Sequence, residues 1–180
     1  MKKKYLFIVL VLSVILNFSL SAQDKPVANK AIFAEFGGGG MIMSMNFDQR
    51  FNSNSKLGFG YRIGAGFGVG TFDVKTKYGY ESFSRTYYTV PVGINYIVGK
   101  QDSSSSFEIG GGVSFLTRKV SLDFFGIYEE KYGNFIGYVN FMYRLTPLNS
   151  GYTFRGGLTP LINASGNLIP MGAVSFGYAF

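Results

Sequence analysis

The chain has 180 residues and contains no Cys, His or Trp, but 25 Gly, 19 Phe and 13 Tyr. Without Cys it can form neither a disulfide nor a thiolate metal site, and without His it also lacks the usual nitrogen ligand of transition metals. The missing His removes the commonest general base, so the sequence predicts no enzyme, no metal site and no cofactor. Its formal net charge of +7 is not gathered in basic stripes, so no nucleic-acid partner is indicated.

The N-terminal segment has the composition of a secretory signal peptide. Residues 1–4 are basic, residues 5–20 are almost wholly apolar, and Ser21 and Ala22 are small residues suited to cleavage. The apolar run is shorter than the ~20 residues that a membrane-spanning helix needs. We therefore expect a cleaved signal peptide over 1–22 and a single domain over 23–180.

Eight segments of the mature sequence alternate between apolar residues and small or polar ones, which predicts β-strands with one apolar face. In the clearest segment every second residue from Leu57 to Val69 is apolar, and the residues between them are Gly except for Arg62. The eight predicted strands cover 31–37, 43–51, 57–69, 87–98, 107–117, 135–144, 152–159 and 171–180.

The predicted connections alternate in length after the first one. The short turns are 52–55, 99–104 and 147–151, and the longer loops are 71–84, 118–131 and 161–169. Residues 71–88 keep partial alternation, which indicates that the strands on either side of the first long loop project past the membrane. The first connection, the glycine run 37–40, is predicted to be a tight reversal or a kink within one long strand. Outer-membrane barrels have an even strand number, short periplasmic turns and longer extracellular loops. The pattern therefore predicts an all-β fold, an eight-stranded antiparallel up-and-down transmembrane β-barrel.

Four segments, taken in order, carry a family resemblance. They are 44–51 (SMNFDQRF), 89–100 (TVPVGINYIVGK), 154–160 (FRGGLTP) and 175–180 (SFGYAF). Together they resemble the small outer-membrane barrels related to outer membrane protein X and the barrel of outer membrane protein A, and more narrowly a group of barrels from Bacteroidota. The resemblance implies location in the outer membrane of a Gram-negative cell, with membrane lipid, lipopolysaccharide and the barrel-assembly machinery as partners. It implies no particular activity.

The final strand also fits this resemblance. Phe176, Tyr178 and Phe180 alternate with small residues, and the sequence ends on an aromatic side chain. In outer-membrane barrels the last strand faces lipid with such residues, and a terminal Phe helps the assembly machinery recognise its client. The resemblance therefore implies that these three aromatic residues form the assembly signal.

If the apolar faces contact lipid, the opposite faces fill the lumen. Seven charged residues lie on those faces: Glu35, Asp48, Arg50, Arg62, Glu108, Arg144 and Arg155. The interior of eight strands is only wide enough for side chains, and buried charges require partners. We expect an Arg–carboxylate network that plugs the lumen, with Glu108 and Arg62 near its centre and inward glycines leaving room for the arginines. The alternative interpretation of these charges is a gated narrow pore or a small polar-ligand site.

Three classes of function remain open at this stage. The first is a structural or surface-interaction barrel, with Phe124, Phe125 and Ile127 of the 118–131 loop as a possible contact surface. The second is a narrow channel or small-ligand transporter. The third is a soluble periplasmic barrel that binds an apolar ligand, as lipocalins do. The glycine-rich face of strand 57–69 argues against the third class, because glycines cannot line a stable apolar pocket.

Overall fold

The computed structural model describes residues 27–76, 79–120, 133–163 and 166–180, with backbone only for 70–76, 79–85, 118–120 and 133. The expected signal peptide and the possible contact residues Phe124, Phe125 and Ile127 lie outside these ranges. Within the described ranges, no helix is long and apolar enough to cross a membrane.

The described residues form ten strands. They are β1 (Lys30–Gly37), β2 (Met43–Arg50), β3 (Gly58–Thr76), β4 (Gly79–Gly99), β5 (Ser105–Val120), β6 (Gly133–Leu145), β7 (Gly151–Leu158), β8 (Leu161–Ile162), β9 (Leu168–Ile169) and β10 (Gly172–Ala179). Strands β1–β7 and β10 form a closed antiparallel barrel. The predicted eight-stranded antiparallel barrel is therefore confirmed.

Pairing of the first strand with the last closes the barrel. The register of β1 with β10 runs from Ala31 opposite Ala179 to Gly37 opposite Ala173. Two backbone hydrogen bonds between Lys30 and Phe180, of 3.0 and 2.9 Å, extend this pairing by one residue. We call the end of the barrel that carries Lys30 and Phe180 the lower end and the opposite end the upper end.

The segment 71–84 is strand over most of its length and not a loop, because β3 continues to Thr76 and β4 begins at Gly79, in agreement with the partial alternation that predicts projecting strands. Aromatic and β-branched residues continue through this segment, and Phe72 lies opposite Phe83 in the register. The pairing of β2 with β3 ends at Phe67, and that of β4 with β5 ends at Thr89. In the described part of the chain, the upper halves of β3 and β4 therefore pair only with each other, as a projecting two-stranded ribbon.

Two other upper connections are ordered. The glycine run reverses the chain through a short 3-10 turn, Gly38–Gly40, so it is a reversal and not a kink. The predicted loop 161–169 contains the hairpin β8–β9, whose first strand pairs with β6. Leu161 and Ile169 of this hairpin are buried, and burial of these apolar side chains explains why the segment is ordered as strand.

Candidate functional site

The barrel interior contains a continuous chain of ion pairs. All seven charged residues expected in the lumen are buried there, at 4% exposure or less. Six ion pairs join them in alternating sign, in the order Arg50–Asp48–Arg144–Glu108–Arg155–Glu35–Arg62. Alternation gives every carboxylate two guanidinium partners, which offsets the cost of removing these charges from water.

Glu108 lies at the middle of this chain. Arg155 donates to both of its carboxylate oxygens, from Nε to Oε2 at 3.0 Å and from Nη2 to Oε1 at 2.5 Å. Arg144 Nη1 donates to Oε2 at 3.1 Å, and Asn95 Nδ2 donates to Oε1 at 3.2 Å. Two-pronged contact with a guanidinium is the strongest hydrogen-bonding geometry available to a carboxylate.

Asp48 and Glu35, on either side of Glu108 in the chain of ion pairs, also contact two arginines each. Asp48 pairs with Arg50 and accepts a 2.5 Å bond from Arg144. Glu35 pairs with Arg62 and accepts bonds from Arg155 Nη1 at 3.2 Å and from Ser175 Oγ at 3.0 Å. Glu108 thus lies in the middle of the chain of ion pairs, whereas Arg62 lies at one end and not near the centre.

Inward glycines make the space that these long side chains occupy. A Cβ on Gly60 would overlap the guanidinium of Arg50, and one on Gly64 would overlap the amide of Asn46. The glycine column of β3 is therefore explained by the side chains of its neighbour β2. The sequence-based expectation about arginines holds at Gly60, while other inward glycines accommodate Asn46 and Tyr87.

The upper half of the interior contains a buried apolar cluster, which the sequence analysis did not anticipate. The cluster comprises Met41, Tyr87, Leu116, Ile136, Tyr138, Leu161 and Ile169. Four of these residues are inward strand positions that lie above the polar inward residues of the same strands: Tyr87, Leu116, Ile136 and Tyr138. The change from polar to apolar residues along the inward faces of β5 and β6 was the available sequence signal.

The β1–β2 connection is folded into this upper half. Gly38, Gly39, Gly40 and Met41 are all buried. Ser114 Oγ donates to the Gly39 carbonyl, and Thr89 Oγ1 donates to the Gly40 carbonyl at 3.1 Å. Met41 has a φ of 75°, which is unfavourable for a residue with a side chain. The connection is therefore held across the barrel by its walls, and we call Gly38–Met41 the inner plug.

At the lower end, the β2–β3 and β4–β5 turns are joined by hydrogen bonds. Lys56 Nζ donates to the Ser103 carbonyl, and Ser55 Oγ donates to Gln101 Oε1 at 3.2 Å. Burial lowers the pKa of the Lys56 ammonium from its ordinary value, and the charge of Asp102 partly opposes this shift. These contacts join neighbouring turns along the lower rim of the barrel.

The outer wall has the opposite character from the interior. Phe59 and Phe176 are 59% and 60% exposed, and Phe36 is 53% exposed. The described outward positions of the wall carry no charged side chain above the level of Gln49, near the lower end, and below the level of Thr86 and Thr117, near the upper end. Phe176 and Tyr178 of the expected assembly signal point outward, and Phe180 follows them at the lower end.

Tyrosines gather on one border of this wall. Five exposed tyrosines lie within four residues of the lower ends of their strands: Tyr61, Tyr96, Tyr143, Tyr152 and Tyr178. Several contact aromatic neighbours, such as Tyr96 with Phe59 at 4.6 Å and Tyr152 with Phe176 at 5.5 Å between ring centroids. The wall thus has an apolar band bordered below by phenol groups.

Comparison with known proteins adds no family assignment, because no family model, curated protein or solved structure matches the chain. Among the residues that the structure describes, no group of three or more His, Cys, Asp or Glu side chains could hold a metal ion. Any functional conclusion therefore rests on the barrel itself.

Proposed function

We propose that this protein is an integral outer-membrane β-barrel whose lumen is closed by its own side chains. The observation that carries the proposal is its inverted distribution of residues. Seven charged side chains are buried inside, while large aromatic and aliphatic side chains are exposed outside. In water an exposed apolar surface of this extent is unfavourable, whereas in lipid it is the favourable arrangement.

The size and border of the apolar wall support a membrane environment. The exposed face of β4 runs from Tyr96 to Tyr88, eight residue steps. With a rise of ~3.3 Å per residue and a tilt of ~40°, this corresponds to a height of about 20 Å, near the ~25 Å apolar band of such barrels. The five lower tyrosines would lie at one headgroup boundary, where amphipathic aromatic rings are favoured.

Two layers inside the barrel support a closed lumen. The lower layer is the chain of ion pairs around Glu108, and the upper layer is the apolar cluster with the inner plug. A hydrated ion would have to separate paired charges in the first layer and pass between packed apolar side chains in the second. We therefore favour a structural or surface-interaction role over a channel.

Under this proposal, surface contacts belong to the upper end, where the β3–β4 ribbon projects beyond the barrel. Its unpaired strand edges offer backbone hydrogen-bonding groups to a partner. Replacing 71–84 by an Asn-Gly turn should remove binding to cells or surfaces while leaving the barrel folded. Loss of the barrel in this variant would instead make the ribbon a structural element.

Planar-bilayer conductance of the purified, folded chain tests the closed lumen, with heat-modifiable gel mobility as the folding control. We expect no steady conductance. Steady conductance of the folded protein would contradict the closed lumen and support a narrow channel. A protein that stays folded and soluble without detergent would contradict the membrane location and favour the soluble barrel.

A further inference from the structure

The described interior carries one positive charge that no carboxylate balances. Four arginines alternate with three carboxylates along the chain of ion pairs, and an arginine stands at each end. A charge excess buried away from water is costly unless a counter-charge or hydrogen-bonding partners are present. The two terminal residues, Arg50 and Arg62, are therefore the places where an additional ligand would be most stabilising.

Arg50 and Arg62 differ in how fully their nitrogens are used. Arg50 Nη1 donates to the Gly58 carbonyl at 3.0 Å, and its Nη2 contacts Asp48 and Asn95. Arg62 Nε donates to Asn46 Oδ1 at 3.0 Å and its Nη2 pairs with Glu35, but its Nη1 is buried with no hydrogen-bond partner. The unused donor thus belongs to Arg62.

Two other buried side-chain polar atoms of the described residues also have no hydrogen-bond partner. They are the hydroxyl of Tyr138 and Oδ1 of Asn140. The Arg62 guanidinium carbon is 5.8 Å from the centre of the Tyr138 ring. The Tyr138 hydroxyl extends over Gly93 and Gly112, where an added Cβ on either glycine would lie 2.6 Å from it. Gly93 is also the cross-strand neighbour of Arg62, so the two side chains approach the same part of the wall.

The chemistry of these groups suits a small anion. Arg62 Nη1 and the Tyr138 hydroxyl are donors, and Asn140 is the next inward residue after Tyr138 on β6. Rotating the Asn140 amide by 180° exchanges its oxygen and nitrogen without changing its shape, so this residue can also present a donor. The unused nitrogen of an uncompensated guanidinium and the hydroxyl of the tyrosine that contacts it would coordinate a halide more favourably than neutral water.

We propose that the barrel interior binds one monovalent anion of the size of chloride beside Arg62 and Tyr138. The anion makes the charged layer electrically neutral and satisfies the unused donors. The site is internal, so it does not depend on the membrane location of the barrel.

The test compares thermal unfolding of the folded chain in sodium chloride and in sodium gluconate at equal ionic strength. For the wild type we expect the unfolding midpoint to rise with chloride and to saturate, with no such rise in gluconate. The variant Tyr138→Phe keeps the ring and removes one donor, so its chloride response should fall several-fold. Its stability in gluconate should be at least that of the wild type, because a buried hydroxyl without a partner is removed.

Tyr143→Phe is the matched control, because Tyr143 lies on the same strand but points outward. It should keep the full chloride response. A crystal grown with sodium bromide should show an anomalous peak beside Arg62 Nη1. An equal response to chloride and gluconate, an unchanged response in Tyr138→Phe, or the absence of a bromide peak would each overturn the proposal.

Discussion

Arg144 and Arg155 lie directly opposite one another on β6 and β7, both pointing into the barrel. Like charges in this position destabilise a sheet. Glu108, on β5, accepts hydrogen bonds from both guanidinium groups and so allows the two arginines to be neighbours. This three-residue arrangement is the centre of the interior charge chain.

The first prediction concerns this arrangement. Glu108→Gln keeps the size of the side chain but leaves two opposed guanidinium groups without the charge between them. We expect the free energy of unfolding to fall by about 3–5 kcal/mol, the usual cost of breaking a buried ion pair. Urea unfolding in lipid vesicles, followed by gel mobility, measures the change.

Two further variants serve as controls. Ser106→Ala removes an inward hydroxyl on the same strand with a single hydrogen bond, so its loss should be about 1 kcal/mol. Adding Arg144→Met to Glu108→Gln should recover part of the stability, because one of the opposed charges is removed. Equal losses in Glu108→Gln and Ser106→Ala would show that the charge of Glu108 has no special role.

The second prediction concerns the inward glycines. Gly60→Ala places a methyl group on the guanidinium of Arg50 and the backbone of Gln49, so we expect a loss of about 1–3 kcal/mol. Gly137→Ala is the control, because its Cβ points outward and meets its nearest neighbour at 3.5 Å. That variant should be neutral or slightly stabilising in the same urea measurement. A well-tolerated Gly60→Ala would mean that Arg50 does not occupy this space.

Much of the barrel wall was predictable from the sequence, and much of the barrel's inside was not. Strict alternation, as from Leu57 to Val69, determines which side chains share a face, so the strands and the inward charges could be assigned. Alternation contains no information about pairing across the lumen. It therefore did not reveal that Arg62 ends the ion-pair chain, or that Gly38–Met41 folds inward, since both depend on contacts between distant strands.

The third prediction tests the lipid-facing wall. Phe176 lies near the middle of β10, and Tyr152 lies near the lower end of β7. Arginine at the middle of a lipid-facing wall costs about 2–4 kcal/mol, and near the border about 0–1 kcal/mol. Phe176→Arg should therefore destabilise the barrel in vesicles far more than Tyr152→Arg. A soluble barrel would instead show no loss of stability in either variant, and the solubility of both variants would be unchanged or better.

The fourth prediction follows from the proposal that two layers close the lumen one after the other, the chain of ion pairs and the apolar cluster. Glu108→Ala weakens the charged layer but leaves the apolar layer in place, so this variant should remain non-conducting in planar bilayers. Tyr138→Ala removes the side chain that spans Gly39, Gly93 and Gly112, and the double variant should conduct. Conductance of Glu108→Ala alone, in protein with normal gel mobility, would show that the charged layer is the only barrier.

The most direct test of the membrane-barrel account is quenching of a single tryptophan by brominated lipids. The chain has no Trp, so Phe176→Trp and Leu148→Trp each introduce a single tryptophan, in the wall and in a lower turn respectively. Its fluorescence can be excited separately from that of the tyrosines. The account predicts strong quenching of Phe176→Trp by lipids brominated near mid-chain, and weak quenching of Leu148→Trp by the same lipids. Equally weak quenching of both, in folded protein that remains in solution without lipid, would contradict it.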